Sequence, residues 1–326
     1  MPTRRQLLTL GAAAIILPRQ NFAEPRAGFA RVGFLTLGSR PASLTANPAT
    51  SEFLRGMQER GHVEGKNYVI EWRFAERDGA RLPPFAADLV RLQVDVIVAG
   101  GSQAIRAAQR ATRTIPIVFA GTGDPVGSGF VSSLAHPGGN TTGVSTSSLD
   151  ISSKLVELLR TTSPRLSRIA VLQEPGSSTA PAILKSVHDA AQKVGVQLLV
   201  LNVATPAEIA PAIAAMKRER VGALIVATPV HLPQIASVAA ERRLLSIAQF
   251  AEYPEAGGLL SYGANVAEGY LRAAAYVDKI LKGAKPADLP VEQPTKFDLV
   301  INMKTAKALG IVMPQEMLIR ATRLIE

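Results

Sequence analysis

From residue 31 onward, short β-branched apolar runs alternate with longer stretches whose apolar residues recur at helical spacing. "RVGFLTL" (31–37), "YVIEWRF" (68–74), "VDVIVAG" (94–100) and "IPIVFAG" (115–121) predict strands. "SEFLRGMQERG", "RLPPFAADLVRLQ" and "SQAIRAAQRATR" predict the helices between them. Units of roughly 30 residues in this order are the pattern of a parallel sheet covered by helices. "VIVAG" and "IPIVFAG" are nearly continuous apolar runs, as strands buried on both faces should be. "YVIEWRF" alternates, which makes Trp72 a core residue rather than a ligand contact.

The alternation breaks at the turn-rich "HPGGNTTGVSTSS" (136–148), which holds one short strand, and then restarts. "RIAVLQE" (168–174), "VQLLVLNV" (196–203), "GALIVAT" (222–228) and "LLSIAQF" (244–250) form a second series of strands with helices between them. Two such series predict an α/β fold of two doubly wound parallel-sheet lobes. Two later passages, 255–283 (a strand and a long amphipathic helix) and the Pro-rich 285–302, supply further crossings. Each lobe is then built from discontinuous segments.

The length of 326 residues suits two lobes, since single cores stop growing near ~250–300 residues. The N-terminus, "MPTRRQLLTLGAAAIILPRQNFAEP", changes the picture more. Arg4 and Arg5 precede an apolar run from Leu7 to Leu17, and "NFA" ends at Ala23 as a cleavage site. That run is shorter than the ~20 residues that span a bilayer, so 1–23 is expected to be an export signal. T-R-R-Q-L-L resembles a twin-arginine signal; an ordinary Sec signal holding two arginines is the alternative. The chain has no cysteine, so it has no disulfide and no thiol to carry a lipid anchor. The expected location is the periplasm, as a free, soluble protein. The formal charge is +10, and removing Arg4, Arg5 and Arg19 leaves 33 basic against 26 acidic residues, a balance of +7. The basic residues are scattered without aromatic interleaving, which argues against nucleic-acid binding.

Candidate chemistry centres on "GTGDPVGSGF" (121–130), which contains the T-G-x-x-x-G-x-G pattern of short-chain dehydrogenases. That pattern belongs after the first strand, where glycines admit a pyrophosphate; here it follows the fourth. The proton-transferring Tyr-x-x-x-Lys pair is also missing: none of the five tyrosines has Lys four positions on. "GGSQA" (100–104) is a loose nucleophile elbow around Ser102, but a hydrolase of that type needs a late His, and the last of the four is His231. The histidines show no metal-ligand spacing. No catalytic residue, metal or cofactor is expected. In the passive reading Ser102, Thr122 and Ser177 each follow a strand and precede a helical pattern. Hydroxyls and N–H groups in that position favour an anion such as a carboxylate, although ordinary helix caps share the same pattern.

Four blocks, 60–76, 94–120, 123–145 and 276–311, closely resemble the ABC-transporter substrate-binding proteins that include the tryptophan-binding type. The resemblance runs from about residue 30 to the C-terminus. It implies a type I periplasmic-binding fold with a three-strand hinge and a ligand in the inter-lobe cleft. It also implies delivery of that ligand, in this group mainly an aromatic amino acid, to a membrane permease driven by a cytoplasmic ATPase. On that pattern the N-terminal lobe is expected to comprise 28–143 and 258–288, the C-terminal lobe 144–257 and 289–326. Carried over by position, the cleft loops of the first lobe are Leu37 to Ser39, Gly101-Ser102-Gln103 and Thr122-Gly123-Asp124. The second lobe offers Pro175 to Ser178 (with Ser177), Thr228-Pro229 and Phe250 to Tyr253. Ser102 and Thr122 are expected to hold an α-carboxylate, and Asp124, Glu174 and Glu252 are candidates for an ammonium. Phe250 or Tyr253 could stack on a ring or pack against the hinge. The group usually has Asn-Pro where this chain has Glu174-Pro175, which adds a carboxylate near the cleft.

The expectation is therefore a monomeric receptor that closes on a small solute and performs no reaction. A periplasmic sensor with a membrane signalling partner is the first alternative, and a hydrolase using Ser102 the second.

Overall fold

The computed structural model describes residues 29–146, 151–175, 180–228 and 231–326. The expected export signal and Ser177 lie outside the described residues, as does Pro229.

The first series folds into β1 (Ala30–Thr36), α1 (Pro48–Gln58), β2 (Tyr68–Phe74), α2 (Leu82–Arg91), β3 (Val96–Gly100), α3 (Ser102–Ala111), β4 (Ile117–Thr122) and β5 (Thr141–Ser145). These five strands make an all-parallel sheet in the order β2-β1-β3-β4-β5. All five residues of β3 are buried, so alternate side chains feed two cores. Leu35, Ile97 and Phe119 meet α2 and α3 on one face. Phe34, Val98 and Val118 meet Phe53 and Met57 on the other. Trp72 packs against this second cluster, its ring centroid 4.7 Å from Phe34 and 5.7 Å from Phe74, the core role its spacing predicts.

The second series gives α4 (Ile151–Thr162), β6 (Arg168–Gln173), α5 (Ala180–Lys193), β7 (Gln197–Asn202), α6 (Pro206–Arg218), β8 (Ala223–Val226), α7 (Leu232–Glu241) and β9 (Leu245–Ala248). The chain continues through α8 (Glu252–Glu255), β10 (Leu260–Ala264), α9 (Val266–Leu281), β11 (Phe297–Asn302), α10 (Met303–Leu309), α11 (Gln315–Arg320) and β12 (Arg323–Ile325). The second sheet has the order β12-β11-β10-β9-β8-β6-β7.

Two features depart from expectation. β11 runs antiparallel to β10, so the second sheet is not wholly parallel. β10, placed with the first lobe as part of 258–288, hydrogen-bonds between β9 and β11 of the second sheet, and Leu259 and Leu260 are buried in that sheet's core. The crossing falls instead at Ala264–Asn265, because only the helix that follows returns to the first sheet. There α9 buries Tyr270, Ala273, Ala274 and Val277 against the Phe34 cluster. It lies so close to α1 that a Cβ on Gly56 would stand 2.7 Å from the Ala274 methyl.

Three chain segments pass between the sheets side by side. Val144 pairs with Glu292 in a parallel bridge, with Ser145 N–H donating to Glu292 O (2.8 Å) and Glu292 N–H to Gly143 O (3.0 Å). The Asn265 N–H donates to Lys296 O at 3.4 Å. Arg272 of α9 clamps this region, donating to Glu292 (2.8 Å), Glu268 (3.1 Å) and Thr295 (3.1 Å). The Asn265 side chain donates to Asp298 of β11 at 2.8 Å while accepting from the Glu268 amide, which ties the start of α9 to the second sheet.

Candidate functional site

Open α/β sheets bind ligands beyond the carboxyl ends of their strands, and the expected first-lobe residues gather there. β3 ends at Gly100, and Gly101 turns the chain into α3 with φ +86°, a conformation a side chain would strain. A Cβ on Gly101 would meet no heavy atom within 4 Å, so the space above this turn is open. Ser102 is thereby the first residue of α3 rather than its cap. Its hydroxyl turns to Thr122 at the end of β4, with Ser102 Oγ and Thr122 Oγ1 sharing a hydrogen bond of 3.1 Å. Two strand ends are thus joined by two hydroxyls, and the simple capping explanation does not hold for Ser102.

The pair has a chemical consequence. Two hydroxyls carry two protons, and one is used in the bond between them, so one remains to donate outward. Thr122 is 1% exposed, whereas Ser102 is half-buried. Ser102 is thus the hydroxyl of the pair that solvent reaches, with Thr122 behind it. Thr122 O in turn accepts from the Thr146 amide (2.9 Å) and Ser145 Oγ (3.1 Å), which fixes the end of β4 against the first crossing segment.

Asp124 does not face outward as a free acid. Its Oδ1 accepts the Gly127 N–H at 2.8 Å, and a Cβ on Gly127 would overlap the carboxylate. The glycine of the dehydrogenase-like pattern therefore serves a self-capping turn, and Gly123 is the half-buried residue between that turn and Thr122. Gln103 is exposed beside Gly79, on the flank of α3. Ser39 is exposed at the end of β1 and hydrogen-bonds Glu76, whose Oε1 also accepts the Arg40 N–H at 2.9 Å. The Arg40 amide and Ser39 hold the Glu76 carboxyl below the usual range. Sequence reasoning missed Glu76, which reaches this rim through a left-handed turn at φ +55° that no local pattern announces.

On the second sheet, Glu174 follows β6 and is half-buried. Thr228 is 1% exposed, at the end of the segment that follows β8. Phe250 packs against the core beneath α7, and Tyr253 is wholly buried there, donating to Ser246 Oγ at 2.8 Å. Burial pushes the Tyr253 hydroxyl far above its usual range. Stacking on a ligand is thereby excluded for Tyr253, and Phe250 faces the same core. Glu252 is exposed at the start of the four-residue α8.

Ser102 has Thr122 for its partner, while His62 is paired with Asp278 at 2.9 Å on the far side of the first sheet. Among the described residues no cluster of His, Cys, Asp or Glu could hold a metal ion.

The profile of the ABC transporter substrate binding protein family matches residues 43–325. The chain belongs to that family. Over 268 residues it is 28% identical to the tyrosine-binding protein of Clostridioides difficile (strain R20291), covering 81% of this chain and 76% of that one. Its structure is similar to that of a domain from Streptococcus pneumonia in complex with L-Trp (TM-score 0.82, 27% identity, 91% of this chain and all of that one). A ligand-free, open substrate binding protein with adhesive properties from Clostridium difficile matches with TM-score 0.73 at 25% identity, over 91% and 99% of the two chains. These relatives are substrate-binding proteins and not enzymes, and the fold is the type I periplasmic-binding fold. A dehydrogenase or hydrolase reading of the glycine-rich loops is set aside. No helix among the described residues is long and apolar enough to cross a membrane.

Proposed function

We propose that this substrate-binding protein is the exported receptor of an ABC importer and captures an amino acid, aromatic in the first instance, between its two lobes. The observation that carries the reading is the Ser102–Thr122 hydroxyl pair at the ends of β3 and β4, with one proton left to donate beside the open turn at Gly101. An α-carboxylate suits that donor together with the amides that open α3. The relatives named for tyrosine and bound to L-Trp support the ligand class.

For the ammonium, Glu174 is the best placed of the three acids. Asp124 is committed to the Gly127 amide, and Glu252 is exposed on a single-turn helix. Glu174 follows β6 of the second sheet and Ser102 follows β3 of the first, so an amino acid held by both would bridge the lobes. Contacts to both walls exist only when the lobes approach, so binding shifts the population towards closure. A better overlap with the L-Trp complex than with the open, ligand-free protein fits a closed arrangement. The closed form is what a permease coupled to a cytoplasmic ATPase would recognise, with the mature protein acting as a periplasmic monomer and without a cofactor.

A thermal-shift screen of L-amino acids, aromatic acids, sugars and nucleosides tests the reading. At 100 times its Kd a true ligand stabilises by roughly 2.7 kcal/mol. A shift by L-amino acids is expected; shifts by sugars or nucleosides alone would overturn the carboxylate assignment.

A further inference from the structure

One tyrosine hydroxyl stands at this end of the first sheet, over a strand residue that has no side chain. Tyr270 is the fifth residue of α9, the helix that begins where the chain crosses back from β10. Its ring is stacked on Phe34, with centroids 5.6 Å apart and planes at 21°. Only 6% of the residue is exposed. The hydroxyl lies over Gly100, the last residue of β3, where a Cβ would overlap it. The same Cβ would stand 3.2 Å from Thr36 Oγ1, at the end of β1. Tyr270 O–H is therefore held above the carboxyl ends of two neighbouring strands, two residues before Ser102. Tyr253 and Tyr276 donate within the protein instead, to Ser246 Oγ and to Pro290 O.

We propose that Tyr270 is a ligand-binding residue, its hydroxyl donating to the same carboxylate as Ser102. This rests on the amino-acid reading above and deepens it. Burial pushes the phenol up to about 12, so at neutral pH it keeps its proton and is a donor to an anion, not an acceptor. Position gives the contact a further consequence. α9 starts at Asn265, which is bonded to Asp298 of the second sheet, and carries Arg272, which clamps the crossing segment 292–295. A carboxylate on Tyr270 is thus bound to the helix that carries the hinge, as well as to the loops of the first wall. The absence of a side chain on Gly100 is what admits the hydroxyl.

The test is Tyr270→Phe, which removes one oxygen and keeps the ring on Phe34. Wild type and variant are titrated calorimetrically with L-tryptophan, L-tyrosine and L-phenylalanine, and with the corresponding carboxamides, which keep ring and ammonium but lose the negative charge. The variant is expected to bind its best acid about ten-fold or more weakly, the worth of one hydrogen bond to a charged group. Its preference for acid over amide is expected to shrink with it, while the unliganded melting temperature stays close to that of wild type. An unchanged acid affinity overturns the assignment and leaves the receptor reading standing. Equal weakening for acid and amide, with a lowered melting temperature, also overturns it, because a packing role would produce that. If wild type binds none of the three acids, the amino-acid reading and this inference fall together.

Discussion

Replacing Thr122 by valine removes one oxygen that is 1% exposed and whose side-chain partner is Ser102, 3.1 Å away. Ser102 is half-buried, so water can replace the lost partner, and the stability cost is expected at about 0.5–1.5 kcal/mol. The effect on binding comes by a different route: Ser102 loses the neighbour that fixes its rotamer and takes up its second bond. Ser102→Ala removes the donor itself. A hydrogen bond to a charged group is worth about 1.5–3 kcal/mol, which is roughly a 10- to 150-fold loss of affinity for a carboxylate ligand. If Thr122 acts through Ser102, the two changes are not additive. Thr122→Val is then expected to weaken the wild type but to change nothing further once Ser102 is alanine. Isothermal titration of the four proteins with the tightest-binding L-amino acid reads this coupling, with urea unfolding as the stability control. Strictly additive losses would refute the orienting role of Thr122, and an unchanged Kd in Ser102→Ala would refute the anion site.

Three further outcomes follow from the packing around the site. Tyr253→Phe, which leaves Ser246 Oγ without its buried donor, is expected to cost about 1–2 kcal/mol in urea unfolding and to leave ligand affinity unchanged, since the ring is core. Burial would raise the Asp278 carboxyl, but Lys282 and His62 outweigh it and hold the group below its usual range. A depressed carboxylate contributes stability that is complete above its unfolded value, about 3.9, and is lost as pH falls through the folded one. Asp278→Asn is therefore expected to flatten the acid limb of a stability–pH curve, and an unchanged limb would contradict the assignment. Arg272→Met is expected to lower stability by about 1 kcal/mol at low salt and by less at high salt, because the guanidinium is only partly shielded from water. A loss independent of salt would mean that packing rather than charge holds the hinge.

The fold was legible because both sheets are built from runs too apolar to sit anywhere but between helices. β2 falls on 68–74 as its pattern predicts, and the other seven strands of the two series lie within their predicted runs or overlap them to within a residue. Pairing direction was not legible. "FDLVIN" carries no local mark that it will run antiparallel to β10, or that the three-residue β12 will pair beyond it. The boundary at 258 failed for a related reason: β10 and α9 adjoin in sequence but pack on different sheets, and only their long-range partners decide this.

For the candidate site, Ser102 and Thr122 stand out in the sequence because hydroxyls at strand-to-helix turns are a local signal. What sequence could not give is their relation, a bond between residues on separate strands in which one side chain shields the other. Asp124 and Tyr253 show the converse. Each looked available, yet one closes its own turn on Gly127 and the other is fixed on Ser246 in the core. Tyr270 reads only as an apolar position on an amphipathic helix. Its hydroxyl acquires meaning from Gly100, far upstream, which leaves the space it fills.

The central claim, that the cleft grips an amino acid by its carboxylate, is tested most directly by calorimetric titration of the unaltered protein. L-tryptophan and L-tyrosine would be run beside tryptamine and tyramine, which lack the carboxylate. The account expects saturable one-to-one binding of at least one L-amino acid and affinity lower by at least ten-fold for its amine. Equal affinity for acid and amine, or binding of neither, would contradict it.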